Sequence, residues 1–160
     1  MPLRTVEQYK ESLKDDRVVF FRGQRVPDVT QHPLIRSAID HEATDYRLMQ
    51  DPEYRDLAVV RNPENGQEMS RYFLPPTDAA QLAQRSRLIE TACREGGSLV
   101  VLAKVVGSDA LFGLMRTTKK IDETCGTSYF DRVKSFYDYC CEADVSFALA
   151  QTDAKGDRAL

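Results

Sequence analysis

The chain has 160 residues, 42% of them apolar and 29% charged, with a formal net charge of −3. That is the length of one ordinary domain and the composition of a folded, soluble one rather than a disordered one. Cations and carboxylates alternate along it, so no basic face for nucleic acid is expected. No apolar stretch approaches the ~18 residues a membrane helix needs, and the N-terminus lacks the apolar core of a signal peptide. These features point to a cytoplasmic protein.

Thr5-Val6-Glu7-Gln8 has the form of a capping box and predicts a short helix to about Lys14. Residues 17–21, a turn at Arg22-Gly23-Gln24 and Arg25-Val26 predict a small hairpin. His32-Pro33 opens a helix, with a His32 ring nitrogen free to satisfy a backbone group. Its stripe is Leu34, Ile35, Ala38, Ile39, Ala43, Tyr46 and Met49; His41 is expected on the solvated face. Asp51-Pro52-Glu53 starts a brief helix through Leu57. Residues 58–60 and 69–74 predict a second hairpin about Asn65-Gly66. Pro75-Pro76 then separates this mixed first part, 1–76, from a helical bundle over 77–160.

Thr77 is the expected cap of a helix whose stripe is Ala80, Leu82, Ala83, Ser86, Ile89 and Cys93, ended by Gly96-Gly97. Residues 98–106, Ser-Leu-Val-Val-Leu-Ala-Lys-Val-Val, are the most apolar run of the chain. Strand and helix both fit such a run; its neighbours favour a helix buried on all sides. A further helix is expected from Asp109, with Leu111, Phe112, Leu114, Met115, Thr118 and Ile121 inward and Gly126 as its stop. The last, capped by Ser128, would carry Phe130, Val133, Phe136, Tyr137, Cys140, Val145 and Phe147. The tyrosines are expected at the edge of the core, each with its polar end in water.

No catalytic set emerges from spacing. There is no glycine-rich phosphate loop and no Gly-x-Ser-x-Gly. Cys93, Cys125, Cys140 and Cys141 lack metal-ligand spacing, and His32 and His41 lie far from them, so no zinc site is expected. One polar segment stands out, residues 152–158, where a hydroxyl, carboxylates, Lys155, Arg158 and a glycine follow a buried helix. Backbone N–H groups in such a turn, with two cations beside them, suit a phosphate or flavin ligand.

Together His32-Pro33-Leu34-Ile35-Arg36, Asp51-Pro52-Glu53-Tyr54, Thr117-Thr118, Gly126-Thr127-Ser128-Tyr129 and residues 152–158 resemble one family. It is the N-terminal domain of the 4-hydroxyphenylacetate 3-monooxygenase / 4-hydroxybutyryl-CoA dehydratase flavoproteins, and the likeness is closer to the dehydratase branch. The resemblance implies a mainly α fold, the helical N-terminal domain of an acyl-CoA-dehydrogenase-like architecture, with one or two small β-hairpins. It implies that residues 1–160 are the first third of an enzyme whose middle β-domain and C-terminal helical domain are absent here. On its own this third would be inactive. The family is homo-oligomeric and acts on small-molecule or acyl-CoA-type substrates.

By the same resemblance, Thr152, Asp153, Lys155, Gly156, Asp157 and Arg158 would touch FAD, with Ala154 replacing the family's usual proline. The dehydratase branch holds a [4Fe–4S] cluster through two cysteines on one helix face, and these fall on Val101 and Val105. Iron–sulfur clusters are held through thiolates, which valine cannot supply, so no cluster is expected at these positions. The monooxygenase branch's arginine, tyrosine and histidine fall on Val106, Ala110 and Leu149. A pocket of Val101, Val105, Val106, Ala110 and Leu149 would be apolar and suit an acyl group. Two functions follow: a flavin-dependent oxidoreductase or acyl-CoA lyase or isomerase without the cluster, or a non-catalytic module pairing with a separate flavin-binding polypeptide.

Overall fold

The computed structural model describes residues 3–148. Among them are seven α-helices and two two-stranded antiparallel hairpins, so the expected mainly α fold is borne out. The capping box forms: the Thr5 hydroxyl accepts from the Gln8 N–H, Gln8 returns a carboxamide oxygen to the Thr5 N–H, and α1 (Val6–Glu11) follows. Strands β1 (Val19–Phe21) and β2 (Gln24–Val26) pair with Phe20 opposite Arg25. Arg22 and Gly23 both have positive φ, 50° and 77°, the turn whose twist matches a hairpin. His32 caps α2 (Pro33–Glu42), its Nδ1 accepting from the Leu34 and Ile35 N–H groups at 3.3 Å.

The single stripe expected over residues 34–49 is divided between two helices, because the chain bends at Ala43 before α3 (Thr44–Gln50). Leu34 is left exposed, while Tyr46 and Met49 are buried. A four-residue helix, α4 (Arg55–Ala58), leads into β3 (Val59–Arg61), which pairs with β4 (Glu68–Ser70). The returning strand is shorter than expected: residues 71–73 form a 3-10 turn, buried with Phe73 at its end.

Asp78 caps α5 (Ala79–Glu95), not Thr77, by accepting from the Gln81 N–H. The buried face of α5 is Arg85, Leu88 and Ala92, whereas Ala80, Leu82, Ala83 and Ser86 face out. A stripe drawn from apolar residues alone misses this face because its first member is an arginine. The Arg85 guanidinium donates to the Tyr72 and Val105 carbonyls, the Ser108 hydroxyl and Asp109. These bonds and the ion pair with Asp109 offset the burial of the charge.

The apolar run is not a helix. Gly96 and Gly97 end α5, Ser98 takes a left-handed φ of 69°, and residues 98–104 cross the molecule as an irregular strap. Leu99, Val100 and Leu102 are exposed, and Val101 and Ala103 are buried. Helix α6 (Val105–Cys125) begins at Val105, four residues before the expected Asp109, and stops at Gly126 in the left-handed conformation. Leu111 is buried on it, but Leu114 and Ile121 are exposed.

Helix α7 (Tyr129–Ala143) packs along α6. Ser128 makes no side-chain cap; Asp122, from the last turn of α6, accepts from the Tyr129 and Phe130 N–H groups and the Thr127 hydroxyl. Asp144 closes α7 with φ 45°, so Val145 and Phe147 lie beyond the helix. Two clusters form the core. One is built about Tyr46, Met49, Leu88 and Val101, the other about Phe73, Leu111, Tyr137 and Cys140. Tyr9, Tyr46, Tyr72 and Tyr137 are buried rather than at the edge.

Candidate functional site

The strap is held at each end by polar groups, half-buried at His41 and fully buried at Lys104. His41, expected in solvent, instead faces it: Nδ1 is 3.0 Å from the Gly96 carbonyl and Nε2 3.2 Å from that of Val100. A Cβ on Gly96 would come within 2.9 Å of the His41 ring and of Val101, so only glycine lets the strap leave α5 this closely. At the other end Lys104, the one charge within the apolar run, is completely buried. Its ammonium donates to Asp144 at 2.5 Å and lies 4.1 Å from the centre of the Tyr46 ring. Asp144 also accepts from the Arg4 N–H at 3.1 Å. Burial pulls the Lys104 ammonium below its ordinary range, and the contact with Asp144 opposes that pull.

Asp45 lies in the same interior, 2% exposed, with neither carboxylate oxygen in a hydrogen bond of normal geometry. Burial pushes its carboxyl up to about 7, opposed by the nearby positive charge of Lys104. The Tyr72 hydroxyl faces it, and burial raises that phenol well above its usual range. These buried groups escaped sequence reasoning, although a lone lysine among seven apolar neighbours was a usable signal.

Beyond α7 the chain returns to the strap. The Phe147 N–H donates to the Ala103 carbonyl at 2.7 Å, and the Phe147 ring covers Gly107 so closely that a Cβ there would sit 2.0 Å from ring carbon Cγ. The strap and Phe147, far apart in sequence, are thereby joined.

Of the expected pocket residues, Val101 and Val105 are buried in the Tyr46 core. Val106 and Ala110, one helical turn apart, lie on the exposed face of α6. The four therefore fall in two environments. Leu149 and the expected flavin contacts Thr152, Asp153, Lys155, Gly156, Asp157 and Arg158 lie outside the described residues. Val101 precedes α6 and Val105 begins it, so they are not two positions on one helix face, and neither has a donor atom for iron. Among the described residues no group of three or more His, Cys, Asp or Glu side chains could hold a metal. Cys140 and Cys141 are buried, and burial raises both thiols, that of Cys141 to about 12. Neither suits the thiolate chemistry of a nucleophile. What the strap presents outward is an apolar ridge, Leu99, Val100, Leu102 and Val106.

Fold and site together define a mainly helical domain with a buried ionic anchor under an exposed apolar ridge. The sequence profile of the 4-hydroxyphenylacetate 3-hydroxylase N-terminal family matches residues 5–160, and the chain belongs to that family. It is 32% identical over 160 residues to a 4-hydroxybutyryl-CoA dehydratase/vinylacetyl-CoA-Δ-isomerase of Clostridium aminobutyricum, covering 99% of this chain and 32% of the relative. It is 28% identical over 150 residues to a 4-hydroxyphenylacetate 3-monooxygenase oxygenase component of a Geobacillus strain, covering 91% of this chain and 29% of the relative. The fold superposes with TM-score 0.87 and 29% identity on an oxygen-tolerant archaeal 4-hydroxybutyryl-CoA dehydratase from N. maritimus, over 99% of this chain and 31% of the other. A 4-hydroxyphenylacetate 3-monooxygenase oxygenase component, crystallised with FAD and 4-hydroxyphenylacetate, shares the fold at TM-score 0.83 and 22% identity, over 98% and 32%. The chain thus spans about a third of the length of these relatives.

Proposed function

We propose that this domain is the N-terminal part of a FAD-dependent enzyme, an oxidoreductase or an acyl-CoA dehydratase or isomerase. Its substrate would be a small organic molecule or acyl-CoA, and it would work as a cytoplasmic homo-oligomer. The reading rests on the family match along 5–160 and on relatives from both branches, one of them crystallised with FAD. The donor set at Thr152, Asp153, Lys155, Gly156, Asp157 and Arg158 fits a flavin dinucleotide: a hydroxyl, backbone N–H groups and two cations suit its phosphates. When bound, FAD supplies the redox chemistry and the protein its orientation. Leu99, Val100, Leu102 and Val106 form an exposed apolar ridge. We assign to that ridge, with Ala110, the apolar cover of a substrate or of the next domain. Val101 and Val105 shape the interior beneath it and hold no cluster.

The full-length protein should carry FAD, seen as yellow colour and by release of the dinucleotide on denaturation. The Lys155→Ala/Arg158→Ala variant should lose most of it. Unchanged retention would overturn the site, and a colourless, stably folded wild type would favour the non-catalytic module. Stoichiometric iron and sulfide after anaerobic purification would overturn the absence of a cluster.

A further inference from the structure

We infer that the groove between the β3–β4 hairpin and the α6–α7 pair is a second binding site. Its ligand is a phosphorylated molecule with a flat apolar body, of the nucleoside diphosphate class. The groove has a volume of about 640 Å³, within the range of small-molecule sites. Its floor is apolar, made by Leu74, Pro75, Met115, Phe130 and Tyr137. Four cations line it, Arg61, Arg116, Lys119 and Lys134, against one carboxylate, Glu64. That is a local excess of positive charge on a protein of net charge −3.

The cations are not equivalent. Lys134 is occupied by Glu64 at 2.8 Å and Asp138 at 2.6 Å, and Arg61 donates to the Gly66 carbonyl at 3.1 Å. Arg116 and Lys119 make no ion pair or hydrogen bond with another described residue. Three residues apart on α6, they share one side of the helix with Cβ atoms about 5–6 Å apart. Two adjacent, unpaired cations exceed what a single carboxylate requires and match the spread charge of a diphosphate, which arginine in particular can bind through paired N–H groups. The half-buried Phe130 and the ring of Pro75 offer faces against which a base can lie.

These residues are distinct from those invoked for flavin, so the two sites can fail separately. Calorimetric titration of the full-length protein would use ADP, adenosine and inorganic pyrophosphate. ADP should bind at least about tenfold more tightly than either part alone, and more weakly as salt rises. Arg116→Ala/Lys119→Ala should weaken ADP about tenfold or more with an unchanged circular-dichroism spectrum, both side chains being exposed. Titrated in the Lys155→Ala/Arg158→Ala background, where the flavin segment can no longer take the ADP half of the dinucleotide, the groove should still bind ADP. The inference is overturned if ADP does not bind. It is equally overturned if pyrophosphate binds as tightly as ADP, or if the Lys155 and Arg158 variant, rather than the α6 pair, abolishes binding. Loss of flavin with ADP affinity intact would leave this groove standing and confirm the flavin segment independently.

Discussion

The two core clusters are made by different means. The one about Phe73, Leu111, Tyr137 and Cys140 is built of neutral side chains with cations at its border, Lys104 6.0 Å from the Phe73 ring and Arg85 5.5 Å from that of Phe112, and its buried phenol is satisfied when the Tyr137 hydroxyl donates to the Phe73 carbonyl at 2.6 Å. The one about Tyr46, where the Tyr9 ring stacks at 4.6 Å, surrounds a buried lysine and two buried aspartates, Lys104, Asp144 and Asp45. Apolar area is non-directional and would accept the strap in several registers, whereas Lys104 can meet Asp144 in one. Charge under the strap therefore fixes position at a cost in desolvation. Removing two charges from water costs several kcal/mol per ion before their attraction returns it.

The largest effect expected from this contrast comes from separating the pair. Lys104→Met leaves Asp144 buried without its cation and should cost about 3–5 kcal/mol in denaturant unfolding. The double variant Lys104→Met/Asp144→Asn should recover most of that loss, because asparagine tolerates the left-handed backbone at 144 and carries no charge. If the double variant stayed as unstable as the single, the anchor would be a net stabiliser and the contrast would break.

Asp45 should give a stabilising substitution. Its folded-state carboxyl, at about 7, lies above the unfolded value near 3.9. Folding is therefore penalised by its ionisation: not at all below about pH 4, progressively between 4 and 7, and fully above. Asp45→Asn should raise stability at pH 8 by an amount on the order of 4 kcal/mol at most, and the gain should vanish as pH falls to 4. A gain independent of pH would place its origin elsewhere. A smaller loss is expected at the junction of strap and α6. Gly107→Ala would normally strengthen a helix interior by about 1 kcal/mol. Here its Cβ collides with the Phe147 ring, so a net loss of about 1–3 kcal/mol is expected, with proteolysis near residue 147 reporting displacement of Phe147.

What was legible in the sequence was what short-range chemistry decides. The Thr5 and Gln8 capping box, the Arg22-Gly23 turn, His32 as a cap and Gly126 as a stop all act within four residues and all appear as expected. What was not legible depends on partners distant in the chain. Arg85 turns inward because carbonyls of Tyr72 and Val105 await it, and His41 leaves solvent because residues 96–100 pass over it. The strap was read as helix because its neighbours are helical; two glycines and the Lys104–Asp144 contact decide otherwise. Family membership was legible through short motifs in register, while the burial of Val101 and Val105 and the exposure of Val106 and Ala110 depend on neighbours distant in the chain and were not.

The neutral core supplies the control for all of these. Tyr137→Phe deletes one hydroxyl from the Phe73 cluster and leaves the ring, which lies 6.3 Å from that of Phe112, in place. The Phe73 carbonyl loses a partner, so a cost of about 0.5–1.5 kcal/mol is expected. That cost should not vary between pH 4 and 8, since no ionised group is added or removed. Unfolding curves at both values would check it. A marked pH dependence would mean that the second core also communicates with a charge, through Lys134 beside the Tyr137 ring, and that the two halves of the interior are not as independent as their chemistry indicates.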